Sequence, residues 1–305
     1  MTELLIEPDT IFTALGDYVI IDSSWTYPAF NSTGIDMRAA FTRCHIPDSY
    51  FVDLESLRDP ACIVDPRLKN VLTPPRPSLL RNMLAGQGID IDTPLIVYDM
   101  DGSASTAPFL RYCLLAEGFT NVRLLKQGLP GWRDVAKLPV SSDGNDAHFL
   151  DAAEIQWSDS VQSSEAAAVN TDSVFMDYTS FCAINSGETM PHVIDARIGN
   201  NHAAKLPEDY GNVDAPSTHH ISYAEIIQDR GFWQDFKEPS SLAALFNRNG
   251  ITGDRPIVTH CYFGMAAANM MTALELAGFP RGQIYAGGVI DYGVKSGLVS
   301  APSAG

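Results

Sequence analysis

PIVTHCYFGMAAANMMTALELAGF, residues Pro256–Phe279, joins a short apolar run to a long stretch of helix formers through one cysteine and one glycine. The proline-introduced run Ile-Val-Thr-His, free of charged residues that alternate with apolar ones, reads as a buried strand. The Ala- and Met-rich run reads as a helix that stops at Gly278, by the glycine rule for helix ends. The first half of the chain contains a counterpart. PLIVYD at Pro94–Asp99 is followed by the helix-like SASTAPFLRYCLLAEGF at Ser103–Phe119. Upstream of each lies another apolar strand ending in an acid, YVIID at Tyr18–Asp22 and HVID at His192–Asp195. Downstream come NVRLL from Asn121 and QIYAG from Gln283. A glycine-containing turn and an aromatic close each half, at Trp132 and Tyr292. Asp22 and Asp195, Pro94 and Pro256, and Trp132 and Tyr292 stand 173, 162 and 160 positions apart, in one order. The chain therefore reads as two copies of one α/β domain, each a mainly parallel sheet with helices on both faces. The expected boundaries are residues 1–140, a Ser/Asp/Ala-rich linker at 141–160, and residues 161–305.

The chain has 305 residues, with 20 Lys and Arg against 37 Asp and Glu, a formal net charge of −17. Such a charge repels phosphate backbones and anionic lipid, so neither nucleic acid nor membrane is an expected partner. The opening residues, MTELLIEPDT, place acids where a secretory leader needs a basic segment. No apolar run approaches the length of a membrane span. The expected location is the cytoplasm. The five cysteines, Cys44, Cys62, Cys113, Cys182 and Cys261, are odd in number and widely spaced, with no CxxC. That pattern argues against a disulfide framework and a zinc cluster.

Ligands of open parallel sheets bind beyond the carboxyl ends of the strands. Asp99 and Cys261 occupy that place in the two halves. Cys261 sits on a tight strand-to-helix loop, where backbone N–H groups and the helix N-terminus should converge on its sulfur. Such a setting is expected to lower the thiol pKa and to make a nucleophile. His260 precedes it on the strand and should face the opposite side. His219 and His220 read as a solvated loop pair.

These residues resemble those of the tandem-domain rhodaneses, the sulfurtransferase family that includes thiosulfate and 3-mercaptopyruvate sulfurtransferases. The likeness runs from about Leu4 to Gly293. It is carried by IIDSSW at Ile20–Trp25, CHIPDSYFVDLESLRDP at Cys44–Pro60, LIVYDMDG at Leu95–Gly102, QGLPGW and VIDAR. The resemblance implies a silent first domain, with Asp99 opposite the catalytic Cys261. It also implies ping-pong transfer of a sulfane sulfur through a Cys261 persulfide to a thiol or other nucleophile. The implied partners are a small sulfur donor and its acceptor, with no metal or organic cofactor.

The active loop departs from the family. Thiosulfate enzymes carry Cys-Arg-Lys-Gly-Val-Thr and mercaptopyruvate enzymes Cys-Gly-Ser-Gly-Val-Thr, whereas this chain has Cys261-Tyr262-Phe263-Gly264-Met265-Ala266. The family's substrate arginine four positions beyond Arg197 is Asn201 here. Its first-domain histidine corresponds to Asn70, with Glu55 as the acid thought to partner it, and Trp25 is a further candidate at the cleft. Its closing Asp-Gly-x-Trp is Ala286-Gly287-Gly288-Val289. The expected substrate-binding set is Tyr262, Phe263, Gly264, Met265, Ala266, Arg197, Asn201, Asn70 and Glu55. Arg197 could equally be a structural ion pair. A loop without cations should disfavour a divalent anion, so polysulfide, an organic persulfide or a mercapto acid is expected ahead of thiosulfate.

Two alternatives compete. Phosphatases of this fold also begin their loop with His-Cys, but they need an arginine clamp where this chain has Ala267. A catalytically degenerate rhodanese acting as sulfur carrier, sensor or binding module is the other.

Overall fold

Four consecutive apolar residues, Leu95–Tyr98, are fully buried and form the centre of the first sheet. The computed structural model describes residues 4–26, 34–62, 64–65, 71–152, 174–186, 190–198, 210–231 and 233–300. In it, Leu95–Tyr98 lies between Val19–Asp22 and Val122–Leu125, parallel to both. Leu5–Ile6 adds to one side, and Tyr50–Val52 with His148–Leu150 to the other, giving six strands with every pairing parallel. Parallel strands need crossover connections, and helices such as Leu79–Ala85 and Ala107–Ala116 supply them. Trp132 is fully buried against Ile6, Ile20, Ile96 and Tyr98, and its indole N–H donates to the Pro139 carbonyl at 2.7 Å.

The second half repeats the central arrangement. Ile257–His260 runs between His192–Asp195 and Gln283–Tyr285, with His219–His220 beyond, again all parallel. The repeat extends to single hydrogen bonds. The Ser23 amide donates to the Tyr98 carbonyl at 2.9 Å, and the Ala196 amide to the His260 carbonyl at 2.8 Å. The Leu129 amide donates to the Asp99 carbonyl, and the Val289 amide to the Cys261 carbonyl, both at 2.9 Å. The helices Ala107–Ala116 and Met265–Leu276 stop just before Gly118 and Gly278, as the sequence predicts.

The chain divides into two compact units whose boundaries differ from the expected ones. One unit comprises described residues within 1–58, 75–171 and 229–235, and the other those within 59–74, 172–228 and 236–305. Two short segments have thus changed sides. Their polar side chains show why. Asp65 is fully buried in the second unit, where it accepts the Tyr210 hydroxyl at 2.6 Å. Asp235 is buried in the first unit, where it accepts the Ser103 hydroxyl. A buried carboxylate is costly without such a donor, so each segment follows its partner. The stretch read as a linker also contains an edge strand, His148–Leu150, in register with Tyr50–Val52. Its three residues, His-Phe-Leu, are too short for a periodic signal to show in sequence. Among the described residues, no helix is long and apolar enough to cross a membrane.

Candidate active site

Cys261 is the first residue beyond the strand Ile257–His260, and the helix Met265–Leu276 begins four positions later. The turn between them is held open by Gly264, whose φ of +96° lies in the left-handed region that disfavours side chains. That conformation aims the Gly264 amide at the Cys261 sulfur, 3.1 Å away. The backbone amides of Ala267, Phe263 and Ala266 also act on the sulfur in the sense that favours its charge. The loop is clamped from behind, where the Val289 and Ile290 amides donate to the Cys261 and Tyr262 carbonyls. Gly288 makes this approach possible, because a Cβ there would stand 2.3 Å from the Cys261 carbonyl oxygen. The glycine pair Gly287-Gly288 was visible in sequence, but this role was not, since it depends on a backbone contact between distant residues.

Four amides around one sulfur match the expected cradle. The expected fall in thiol pKa does not occur. Burial pushes the Cys261 thiol up, and the four amides only partly offset it, so the group sits above the ordinary thiol range. The residue is 3% exposed, and the sequence carries no measure of that desolvation. Tyr262, Phe263, Met265 and Ala266 are half-buried and form the accessible face of the loop. None carries a charge at neutral pH.

Arg197 lies beside the loop but is committed elsewhere. Its Nε donates to both Asp195 carboxylate oxygens at 3.0 and 2.8 Å, Nη2 reaches Oδ2 at 2.6 Å, and Nη1 donates to the Val213 carbonyl at 3.2 Å. The guanidinium carbon stands 5.7 Å from the centre of the Tyr262 ring. This is the geometry of an ion pair that supports the loop, with the charge balanced before any substrate arrives. The first half supplies a natural comparison. Asp22 holds the position of Asp195, paired in register with Tyr98 as Asp195 is with His260. Two residues on, the first half has Ser24 in place of Arg197. Burial pushes the Asp22 carboxyl up to about 6, despite the Ser24 hydrogen bonds. At Asp195 burial acts in the same direction and is the largest single influence, but the hydrogen bonds and charge of Arg197, with His260, together outweigh it and hold the carboxyl below its usual range.

Asp99, opposite Cys261 in the repeat, accepts the amides of Asp101, Thr106 and Ala107 at 2.9, 2.9 and 2.8 Å. The same strand-to-helix corner that surrounds a sulfur in one half surrounds a carboxylate in the other. Burial, helped by Asp101, lifts Asp99 to about 7. His260 is fully buried and packs edge-on to Phe181, and burial lowers its pKa to about 4, so it is neutral at physiological pH. Glu55 is in the first unit, where it accepts the Trp25 indole N–H at 3.1 Å and faces Arg58 at 3.8 Å. His219 is not merely solvated, since its Nε2 lies 3.0 Å from His192 Nδ1. The structure thus gathers Tyr262, Phe263, Gly264, Met265, Ala266 and Arg197 around Cys261. It leaves Glu55 tied within the other unit. Asn70 and Asn201 lie outside the described residues. Asp195, Gly288 and Val289 complete the loop's support, and sequence reasoning had not singled them out for it.

The doubled fold has rhodanese architecture, and its second half holds a cysteine in a backbone cradle at the carboxyl edge of the parallel sheet. Residues 17–134 match the rhodanese-like domain. The chain is 24% identical to 3-mercaptopyruvate sulfurtransferase of Escherichia coli K12, over 93% of this chain and 92% of that protein. The fold resembles the crystal structure of SseA from Escherichia coli with a TM-score of 0.69 at 22% identity, covering 94% of this chain and 99% of that one. It also resembles EanB, solved as a cysteine persulfide in a tetrahedral intermediate state with ergothioneine, with a TM-score of 0.68 at 15% identity, covering 99% and 71%. Residues 17–134 thus match a rhodanese-like domain, and over most of its length the chain is similar to sulfurtransferases.

Proposed function

We propose that this sulfurtransferase moves a sulfane sulfur through a persulfide on Cys261. The Cys261 thiolate attacks the sulfane sulfur of the donor. A new S–S bond forms, the donor's bond to that sulfur breaks, and the leaving group keeps the electron pair. A thiolate or other nucleophile then attacks the outer sulfur and releases the Cys261 thiolate. The observation that supports this most directly is the Gly264 amide 3.1 Å from the sulfur, backed by three further amides. Such donors stabilise negative charge on sulfur in a site of low dielectric. EanB, which shares this fold, is solved as a cysteine persulfide, and that supports the reading.

The donor is a polysulfide, an organic persulfide or a mercapto acid ahead of thiosulfate. The loop presents Tyr262 and Phe263 where thiosulfate enzymes present cations, and Arg197 is already neutralised by Asp195. A dianion entering there loses its hydration without a compensating charge. Each donor is to be incubated with the protein and intact mass recorded, followed by addition of an acceptor thiol. Polysulfide is expected to add one sulfur atom that the acceptor removes in repeated turnovers. Thiosulfate is expected to load it at least about a hundredfold more slowly, the cost of an unpaired charge. Efficient thiosulfate:cyanide turnover would overturn the donor assignment. A persulfide that forms but never turns over would favour the sulfur-carrier reading.

The pH dependence follows from the raised thiol. Only the thiolate attacks, and a pKa above the ordinary range leaves less thiolate at neutral pH than a free cysteine has. The rate of Cys261 loading at fixed donor is therefore expected to climb through pH 7 and 8 and to be still climbing at about pH 9. A plateau already reached near pH 7 contradicts this.

A further inference from the structure

The second unit carries a pocket of about 520 Å³ at the amino end of its sheet. Ile257 and Gln283, the first residues of the paired strands Ile257–His260 and Gln283–Tyr285, are part of its wall. Cys261 follows the opposite end of the first strand, roughly 13 Å away at about 3.3 Å per residue. Two positions before each strand stands an arginine that lines the pocket, Arg255 and Arg281. Neighbouring strands run about 4.8 Å apart, so both arginines start from one short stretch of the sheet's edge.

Arg255 is held by neutral groups. Its Nε donates to the Met190 carbonyl at 2.7 Å and its Nη2 to the Pro191 carbonyl at 3.3 Å. Carbonyls orient a guanidinium without cancelling its charge. Among the described residues, neither Arg255 nor Arg281 has an ion-pair partner. Asp254 is the one carboxylate on the described wall, and a hydrogen bond from Thr252 does most to hold it below its usual range. The charge of Arg255 is felt past it. Burial first, and then Arg255, lower the pKa of both His192 and His219, and Asp254 opposes this at His192 as the weakest influence. In a chain of net charge −17, this concavity has two cations against one anion.

We propose that this pocket binds a small organic phosphate monoester. Its dianionic head lies between Arg255 and Arg281, and its apolar body rests on Met176, Pro256 and Pro280. A guanidinium offers its N–H groups as a planar fork, and the three terminal oxygens of a phosphate monoester can receive two such forks. A carboxylate brings two oxygens and a single charge. The volume falls in the range of about 300–1,000 Å³ usual for small-molecule sites, well beyond what a bare phosphate ion fills.

The test is calorimetric titration of the full-length protein with phenyl phosphate, compared with inorganic phosphate, benzoate and phenol. Phenyl phosphate is expected to bind one to one with a Kd of about 0.1–1 mM. Inorganic phosphate, lacking the apolar body, should bind about tenfold more weakly, as should the singly charged benzoate, and phenol should not bind detectably. Arg281→Gln should weaken phenyl phosphate by about tenfold or more, the scale of a hydrogen bond to a charged group. Arg255→Gln should do the same, but it also frees two carbonyls, so Arg281→Gln, which breaks no bond among the described residues, carries the decision. Arg248→Gln makes the same change in net charge away from the pocket and should leave the affinity unaltered. No saturation by phenyl phosphate up to about 10 mM overturns the proposal. So does an affinity that Arg281→Gln leaves intact, or that Arg281→Gln and Arg248→Gln lower equally. Benzoate or inorganic phosphate binding as tightly as phenyl phosphate overturns the assignment to a phosphate monoester.

Discussion

Cys261→Ser is expected to form no persulfide with any donor and to lower sulfur-transfer turnover by about four orders of magnitude or more. A serine oxygen in the same cradle would accept the Gly264 amide but would not ionise near neutral pH, and it cannot hold a transferable sulfur. The other four cysteines do not substitute. Burial, with Glu117, pushes the Cys113 thiol well above its usual range. Cys62 and Cys182 are exposed, and Cys62 too is pushed up, by burial first and then by Asp59. Intact-mass measurement, with peptide mapping to place the added sulfur, decides the matter. Because serine nearly matches cysteine in volume, urea unfolding should change little, by about 1 kcal/mol. Undiminished sulfur loading in the variant would falsify the assignment of the nucleophile.

The second large effect belongs to a residue with no side chain. Gly264→Ala is expected to slow Cys261 loading by about a hundredfold, the scale on which one charge-stabilising amide is worth. At φ +96° an alanine is strained, and its Cβ would lie 3.0 Å from both the Cα and the carbonyl oxygen of Ala286. The loop must shift, and the amide that meets the sulfur shifts with it. Strain of this kind costs about 1–3 kcal/mol of folding stability. Gly278→Ala separates strain from chemistry. Gly278 has a similar φ, +88°, at the far end of the same helix, with nothing within 4 Å of its added Cβ. It should lose comparable backbone stability and keep its loading rate. Equal rates in both variants would show that the Gly264 amide contributes nothing to the sulfur's charge.

The repeat was legible because parallel strands buried on both faces appear as unbroken apolar runs. Leu95–Tyr98 is such a run and Ile257–Val258 the start of a shorter one, and each is followed by a helix whose end a glycine marks. The edge strands were harder. Leu5–Ile6 and His219–His220 have two residues each, too few for any period to register. Arg197 stood open between substrate and structure in the sequence, since an arginine two residues from an acid permits either. In the fold, three of its nitrogen atoms contact Asp195 and Val213.

From residue order alone came the doubled α/β architecture, the corner occupied by Cys261 and Asp99, and an active loop without cations, because each is a property of neighbours along the chain. Folding in three dimensions decided the rest. It carried residues 59–74 and 229–235 to the partners of their buried carboxylates, brought Gly288 against the Cys261 carbonyl, and set burial against four amides at one thiol. Those outcomes depend on desolvation and on contacts between residues far apart in the chain, and a sum of such opposing terms has no local signature.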